Sequence, residues 1–139
     1  MQKNTIQRLF SNTMSSVTCI ICLGSNYCPE HNISLAVRLL TSSFPHIRWG
    51  KTIVTPATGV SRPVPDYHNL AAIFTTTMSL PALRSLLKET EKACGRTPES
   101  KSTGLIPIDI DLLQYDGTIL KPEDMNTAHV RQALSSLIK

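Results

Sequence analysis

Nowhere does an apolar run approach the roughly 18 residues that a membrane-spanning helix needs; the richest stretch, VTCIICL at 17–23, stops at Gly24. A membrane partner is therefore not expected. A basic stripe is lacking too. The net charge is +4, but the 14 Lys and Arg are scattered over the chain rather than interleaved with aromatics on one surface, which argues against nucleic-acid binding. No glycine-rich phosphate loop of the Walker type is present. Metal-gripping cysteines are missing in spite of four cysteines: Cys19 and Cys22 have CxxC spacing, but in a strand residues three apart point to opposite faces. Cys28 and His31 have no partners that the sequence suggests. Free, reduced thiols fit a cytoplasmic protein. The first sixteen residues, MQKNTIQRLFSNTMSS, contain no acid; they read as a flexible tail, with a short organellar presequence as the alternative.

What is there suits one domain over 17–139, since a chain of 139 residues with 41% hydrophobic content buries a single core and has no room for a second catalytic unit. A monomer or weak homodimer is expected. The run 17–23 reads as a buried strand closed by the turn Gly24-Ser25-Asn26. From Glu30 the spacing changes to three and four: Ile33, Ala36, Val37, Leu39 and Leu40 predict an amphipathic helix to about Ser43. A strand over 47–55 ends at Pro56, and a long loop with Gly59, Pro63 and Pro65 follows. A third strand covers 69–78. Ser79 caps the next helix, Pro81 sits in its first turn, and Cys94-Gly95 closes it. A polar loop over 96–105 leads to a fourth strand in IPIDIDLLQYDG, turned by Asp116-Gly117. A last helix begins at Asn126 or Thr127. The order β-α-β-β-α-β predicts an α+β, ferredoxin-like sandwich: an antiparallel sheet with two helices on one face, the other face left open by them, plus a C-terminal helix. Many functions use that architecture, so function has to come from a site.

The fourth strand carries one. Residues i and i+2 of a strand face the same way, so Asp109 and Asp111 present two carboxylates from one face while Ile108, Ile110 and Leu112 face the core. Like charges that close repel and raise each other's pKa unless a cation lies between them. A hard cation such as Mg²⁺ takes one or two carboxylates plus water and phosphate oxygens. Two readings stay open on D-x-D alone: a metal site, or a solvated pair of acids on an open sheet face.

Five segments in order, LGSNYCPEHNISLAVRLL, TPATGV, PDYHNLAAIFTTTMSLPAL, ETEKACGR and IDIDLLQYDG, resemble 6-hydroxymethyl-7,8-dihydropterin pyrophosphokinase of folate biosynthesis over 17 to about 120. The resemblance implies a ferredoxin-like fold and transfer of pyrophosphate from ATP to the pterin hydroxymethyl group, with release of AMP and a need for Mg²⁺. By the same resemblance Asp109 and Asp111 bridge a pair of Mg²⁺ ions between ATP and the pterin. Thr55, Pro56 and Thr58 begin a loop that contacts the pterin. Tyr67 packs on it, Asn69 bonds its polar edge, and Gly24, Ser25 and Asn26 form the floor. Glu91, Arg96 and Lys101 fall on the nucleotide side, Arg96 counting with the aspartates as catalytic, and His129 at the phosphates. Each has a plainer alternative: Asn69 and Gly24 to Asn26 as turn residues, Tyr67 as rim packing, His129 as a surface helix residue.

The pattern departs in the loop TPESKSTGLIP, where Pro98, Thr103 and Ile106 stand in place of an arginine, a tryptophan and an arginine. Losing phosphate-binding arginines lowers transition-state stabilisation, so a reduced rate is expected, with Lys101, Arg131 or Arg62 as replacement cations. The other reading is a non-catalytic ferredoxin-like relative that binds a pterin or serves regulation.

Overall fold

The computed structural model describes residues 15–57 and 63–137; the tail expected over 1–16 thus lies almost wholly outside the described residues, as do Thr58, Gly59 and Arg62. In chain order the elements are β1 (Val17–Ser25), α1 (Pro29–Ser43), β2 (Arg48–Trp49), β3 (Ile53–Thr55), β4 (Tyr67–Thr76), α2 (Leu80–Ala93), α3 (Ser100–Thr103), β5 (Asp109–Tyr115), β6 (Thr118–Ile119), α4 (Pro122–Met125) and α5 (Ala128–Ser135). The strands form one sheet in the order β2-β4-β1-β5-β6, with β3 also on β4, and the pairings are antiparallel. This is the expected α+β, ferredoxin-like arrangement, in which the first strand lies at the centre between the third and the last of the β-α-β-β-α-β unit.

Central position explains why β1 is apolar almost throughout rather than alternating. One of its faces places Cys19, Ile21 and Leu23 in the main core with Ala36 and Leu40 of α1, Leu83 and Leu87 of α2, and Ile108, Ile110 and Leu112 beside them. Its other face places Ile20 and Cys22 in a second cluster with Leu113 and Val130. The two cysteines of the CxxC spacing thus point to opposite layers, and among the described residues all four cysteines are free. Burial pushes the Cys22 thiol up to about 12 and that of Cys19 to about 11, which makes both poor nucleophiles at neutral pH.

The second cluster corrects the expectation of an open face. α5 lies over it, with Val130 and Ala133 buried, so the carboxylates of β5 stand at the end of a partly covered face. A further correction concerns the strand expected over 47–55, which is two short strands with Gly50 between them. The Gly50 amide still donates to the Ala71 carbonyl at 2.9 Å, but a Cβ there would lie 2.7 Å from the Ala133 carbonyl oxygen, because α5 presses on the backbone at that point. The third strand starts at Tyr67 and ends at Thr76, whose hydroxyl accepts from the Met78 amide at 3.1 Å and turns the chain into α2. Leu39 is exposed on α1, beyond the reach of the sheet, while Asn32 takes a buried place and donates to the Tyr27 carbonyl at 2.7 Å.

Local signals for α2 hold. Ser79 accepts from the Ala82 amide at 3.3 Å, and Gly95 follows the helix with φ +95°, a conformation glycine adopts without strain. The polar loop after it contains α3 and then a staple: the Asn26 side chain donates to the Gly104 carbonyl at 2.9 Å and accepts from the Ile106 amide at 2.6 Å. Held this way, Ile106 leaves the ladder, and the last strand of the unit begins at Asp109 rather than at 106. Thr127 precedes α5, but its hydroxyl donates to the Asp124 carbonyl at 2.7 Å instead of capping the helix. The short β6 and α4 were not anticipated.

Candidate functional site

The register of three strands builds the site. Asn69 of β4 is level with Gly24 of β1, and Gly24 is level with Asp109 of β5. Directly opposed residues of an antiparallel pair point to the same face, so Asn69 and Asp109 stand on either side of a position that lacks a side chain. A Cβ built at Gly24 would meet Asn69 Oδ1 and Tyr67 Cδ1 at 3.8 Å each. One pleat further on, Asp111 is level with Cys22.

Each carboxylate has a cation. Arg96 Nη1 lies 2.8 Å from Asp109 Oδ1, and Lys121 Nζ lies 2.5 Å from Asp111 Oδ1. Arg96 Nη1 also donates to the Ile108 carbonyl at 3.1 Å and reaches Glu91 Oε2 at 3.5 Å. Glu91 in turn accepts from the Ile110 amide at 2.7 Å. Side chains at the end of α2 thereby satisfy backbone groups along the edge of β5 that β6 does not cover. Burial pushes the Glu91 carboxyl above its ordinary range, against the pull of the Ile110 amide and Arg96. Burial first, and Asp109 second, push Asp111 up to about 6; Lys121 opposes the shift without cancelling it. Tyr67 is raised as well, by burial and then by Asp109.

Two cavities meet at this pair. The smaller, about 210 Å³, lies between the sheet and the last two helices, with Gly24, Tyr67 and Asn69 on one side and Asp124, Thr127 and His129 on the other. The larger, about 630 Å³, lies beside β5 and is lined by Arg84, Lys88, Arg96, Lys101 and Lys121 together with Glu91. Asp109 and Asp111 line both. The larger cavity is a setting for a polyanion, and the shared pair supplies hard oxygen donors at its edge. No group of three His, Cys, Asp or Glu able to hold a metal occurs among the described residues. A cation here would rest on two carboxylates and complete its shell with water and phosphate oxygens, a donor set that fits Mg²⁺.

Of the residues expected at the site, Gly24, Tyr67, Asn69 and His129 gather at the smaller cavity and Glu91, Arg96 and Lys101 at the larger. His129, expected at the phosphates, lines the smaller cavity together with Asp109 and Asp111 as well as Tyr67 and Asn69. Ser25 and Asn26 are fully buried behind the cavity wall and hold Ile106 and Gly104 in place. Thr55 accepts from Asn69 Nδ2 at 3.0 Å, and Pro56 is exposed next to it. Sequence reasoning missed Lys121, Arg84 and Lys88. The last two had a signal: Arg84, Lys88 and Glu91 recur at helical spacing beside the Leu83 and Leu87 stripe.

These observations define a class, an α+β ferredoxin-like protein with one carboxylate pair shared by a small cavity and a basic one. The chain matches the family model of 7,8-dihydro-6-hydroxymethylpterin-pyrophosphokinase over residues 20–139, and it belongs to that family. The family acts in folate biosynthesis and generally uses ATP and Mg²⁺. No curated protein matches the chain. One solved structure with partial similarity is the YXEP protein of Bacillus subtilis, a dinuclear metal binding peptidase from M20 family, at 12% identity and a TM-score of 0.30. The match covers 76% of this chain and 26% of that one, so this chain spans about a quarter of that protein's length. So low a TM-score carries no argument about fold or chemistry. Among the described residues no helix is long and apolar enough to cross a membrane.

Proposed function

We propose that the protein is an Mg²⁺-dependent diphosphotransferase that moves pyrophosphate from ATP to 6-hydroxymethyl-7,8-dihydropterin and releases AMP. The observation that carries this reading is the position of Asp109 and Asp111, shared by two cavities of different character. The pterin takes the smaller one. Asn69 Nδ2 donates to the Ile53 carbonyl at 2.9 Å and to Thr55, which turns Oδ1 toward the open position at Gly24. An acceptor there suits the amino and ring N–H donors of a pterin edge, and Tyr67 offers a ring face beside it. ATP takes the basic cavity, its phosphates among Arg84, Lys88, Arg96, Lys101 and Lys121.

In the transfer the pterin hydroxymethyl oxygen bonds to the β-phosphorus, the bond from that phosphorus to the α–β bridging oxygen breaks so that AMP leaves with that oxygen, and the hydroxyl proton passes to water. Such chemistry needs little covalent help from protein; positioning and charge neutralisation supply most of it. Asp109 and Asp111 would hold a pair of Mg²⁺ ions, whose contribution when bound is to neutralise the phosphates and polarise the attacking hydroxyl. Arg96 keeps Asp109 in place and adds positive charge on the nucleotide side. Three of the family's loop positions offer no such help: Pro98 and Thr103 carry no charge, and Ile106 is turned into the interior. A reduced rate follows. Unpaired cysteines fit a cytoplasmic protein, and small-molecule substrates with a monomer or weak homodimer complete the reading.

The same loop, with Arg96 and Lys121 already neutralising the pair, favours a second reading, a non-catalytic relative that binds a pterin or serves regulation. One experiment separates the two. With ATP, Mg²⁺ and the hydroxymethyl pterin, AMP should form, and Asp109→Ala or Asp111→Ala should abolish it. Calorimetric binding of the pterin without any AMP would establish the second reading instead.

A further inference from the structure

The two counter-ions of the carboxylate pair are held very differently. Arg96 is fixed by three acceptors, Asp109, Ile108 and Glu91, and its side chain is 20% exposed. Lys121 meets Asp111 through its ammonium alone, with a side chain 47% exposed. Its backbone is anchored independently, since its carbonyl accepts from the Met125 amide at 3.0 Å at the start of α4. The ammonium therefore occupies the Asp111 oxygen on a side chain that solvent reaches more than twice as far as that of Arg96. A divalent cation on that carboxylate competes with an ammonium at contact distance, because the two positive charges repel and draw on the same oxygen.

Resting on the metal-site reading above, we infer that Lys121 is a tethered competitor of the divalent cation. It neutralises Asp111 in the metal-free protein, is displaced when a cation enters, and so sets the cation concentration at which the site fills. Once displaced it remains at the rim of the basic cavity, which it lines, and meets a phosphate there. Filling of the metal site and filling of the phosphate site are coupled through this one side chain.

The test is titration of the full chain with Mn²⁺ alone, following free Mn²⁺ by electron paramagnetic resonance in the absence of nucleotide. Lys121→Met should bind Mn²⁺ roughly tenfold more tightly than the wild type, as removal of one adjacent positive charge requires. Lys121→Arg, which keeps the charge, should stay near the wild type. Thermal melting verifies that the variants fold, and Lys121→Gln repeats the measurement should the methionine variant not do so. Equal or weaker binding by the charge-removing variants, with binding still lost in Asp111→Asn, overturns the role of Lys121 and leaves the metal site standing. Absence of Mn²⁺ binding in the wild type and in both neutral variants overturns the inference and the metal-site reading together.

Discussion

Replacing Asp111 by asparagine removes one of the proposed metal ligands, and in the metal-free protein it should also raise stability at alkaline pH. The side chain is 29% exposed and lies beside Asp109. Burial, and then the Asp109 charge, carry its carboxyl from an ordinary 3.8 to about 6. The folded protein thus binds this proton more tightly than the unfolded chain does, and the stabilising contribution is complete below pH about 4, declines as pH rises toward about 6 and is gone above it. Proton binding tighter by that much corresponds to ~3 kcal/mol, at about 1.4 kcal/mol for each factor of ten. Partial access of water to the side chain brings the expected gain of Asp111→Asn at pH 8 to ~1–3 kcal/mol. The amide has the same shape, its Oδ1 can still accept from Lys121, and it carries no charge to bury.

Urea denaturation in the presence of EDTA, at pH 4 and at pH 8, measures the effect. The variant should match the wild type at pH 4 and exceed it at pH 8, while AMP formation in the presence of Mg²⁺ is lost. A variant less stable than the wild type at pH 8, or one shifted equally at both pH values, would refute the argument that burial and Asp109 strain this carboxylate. An ion pair with Lys121 strong enough to dominate the site would give the first of those results.

Two further outcomes follow from backbone contacts. Asn26→Ala removes both bonds of the staple to Gly104 and Ile106, in a side chain that is 1% exposed, and should cost ~1–3 kcal/mol and speed hydrogen exchange at the Ile106 amide; unchanged exchange there would mean the loop is held by other contacts. Gly50→Ala drives a methyl to within 2.7 Å of the Ala133 carbonyl and should lower stability by ~1–3 kcal/mol, read as a fall in the urea midpoint; a variant as stable as the wild type would show that α5 yields freely at that point.

What the sequence made legible was local. The two-residue period of IDID put Asp109 and Asp111 on one face because side-chain alternation needs no knowledge of the rest of the fold. Ser79 and Gly95 marked the ends of α2 for the same reason, since caps act within one turn of the helix. Order of elements, and with it the fold class, followed from those periods. The break of the second expected strand at Gly50 was hidden because its cause is the backbone of α5, at Ala133. Burial of Asn26 was hidden likewise: its partners Gly104 and Ile106 are 78 and 80 residues away, and a turn residue after a strand gives no hint of them.

Lys121 lies between these cases. It is 10 residues from Asp111, and no helical or strand period links the two. The link is where the hairpin's ladder stops. Asp116 and Gly117 both have positive φ, 51° and 79°, which is the pattern of a two-residue type I′ turn. Such a turn fixes the pairing of Tyr115 with Thr118 and of Gln114 with Ile119, and the Leu120 amide then reaches the Leu113 carbonyl at 2.8 Å. There the ladder stops: one step further it would set Lys121 level with Leu112, on the core face and away from Asp111, but the chain turns into α4 at Pro122 and Lys121 meets the Asp111 carboxylate at 2.5 Å. Asp-Gly in QYDGTI therefore fixes the register as far as Leu120 and no further. What brings a cation beside the second carboxylate is the departure into α4 after Leu120, a tertiary feature that neither the turn residues nor the strand period announces.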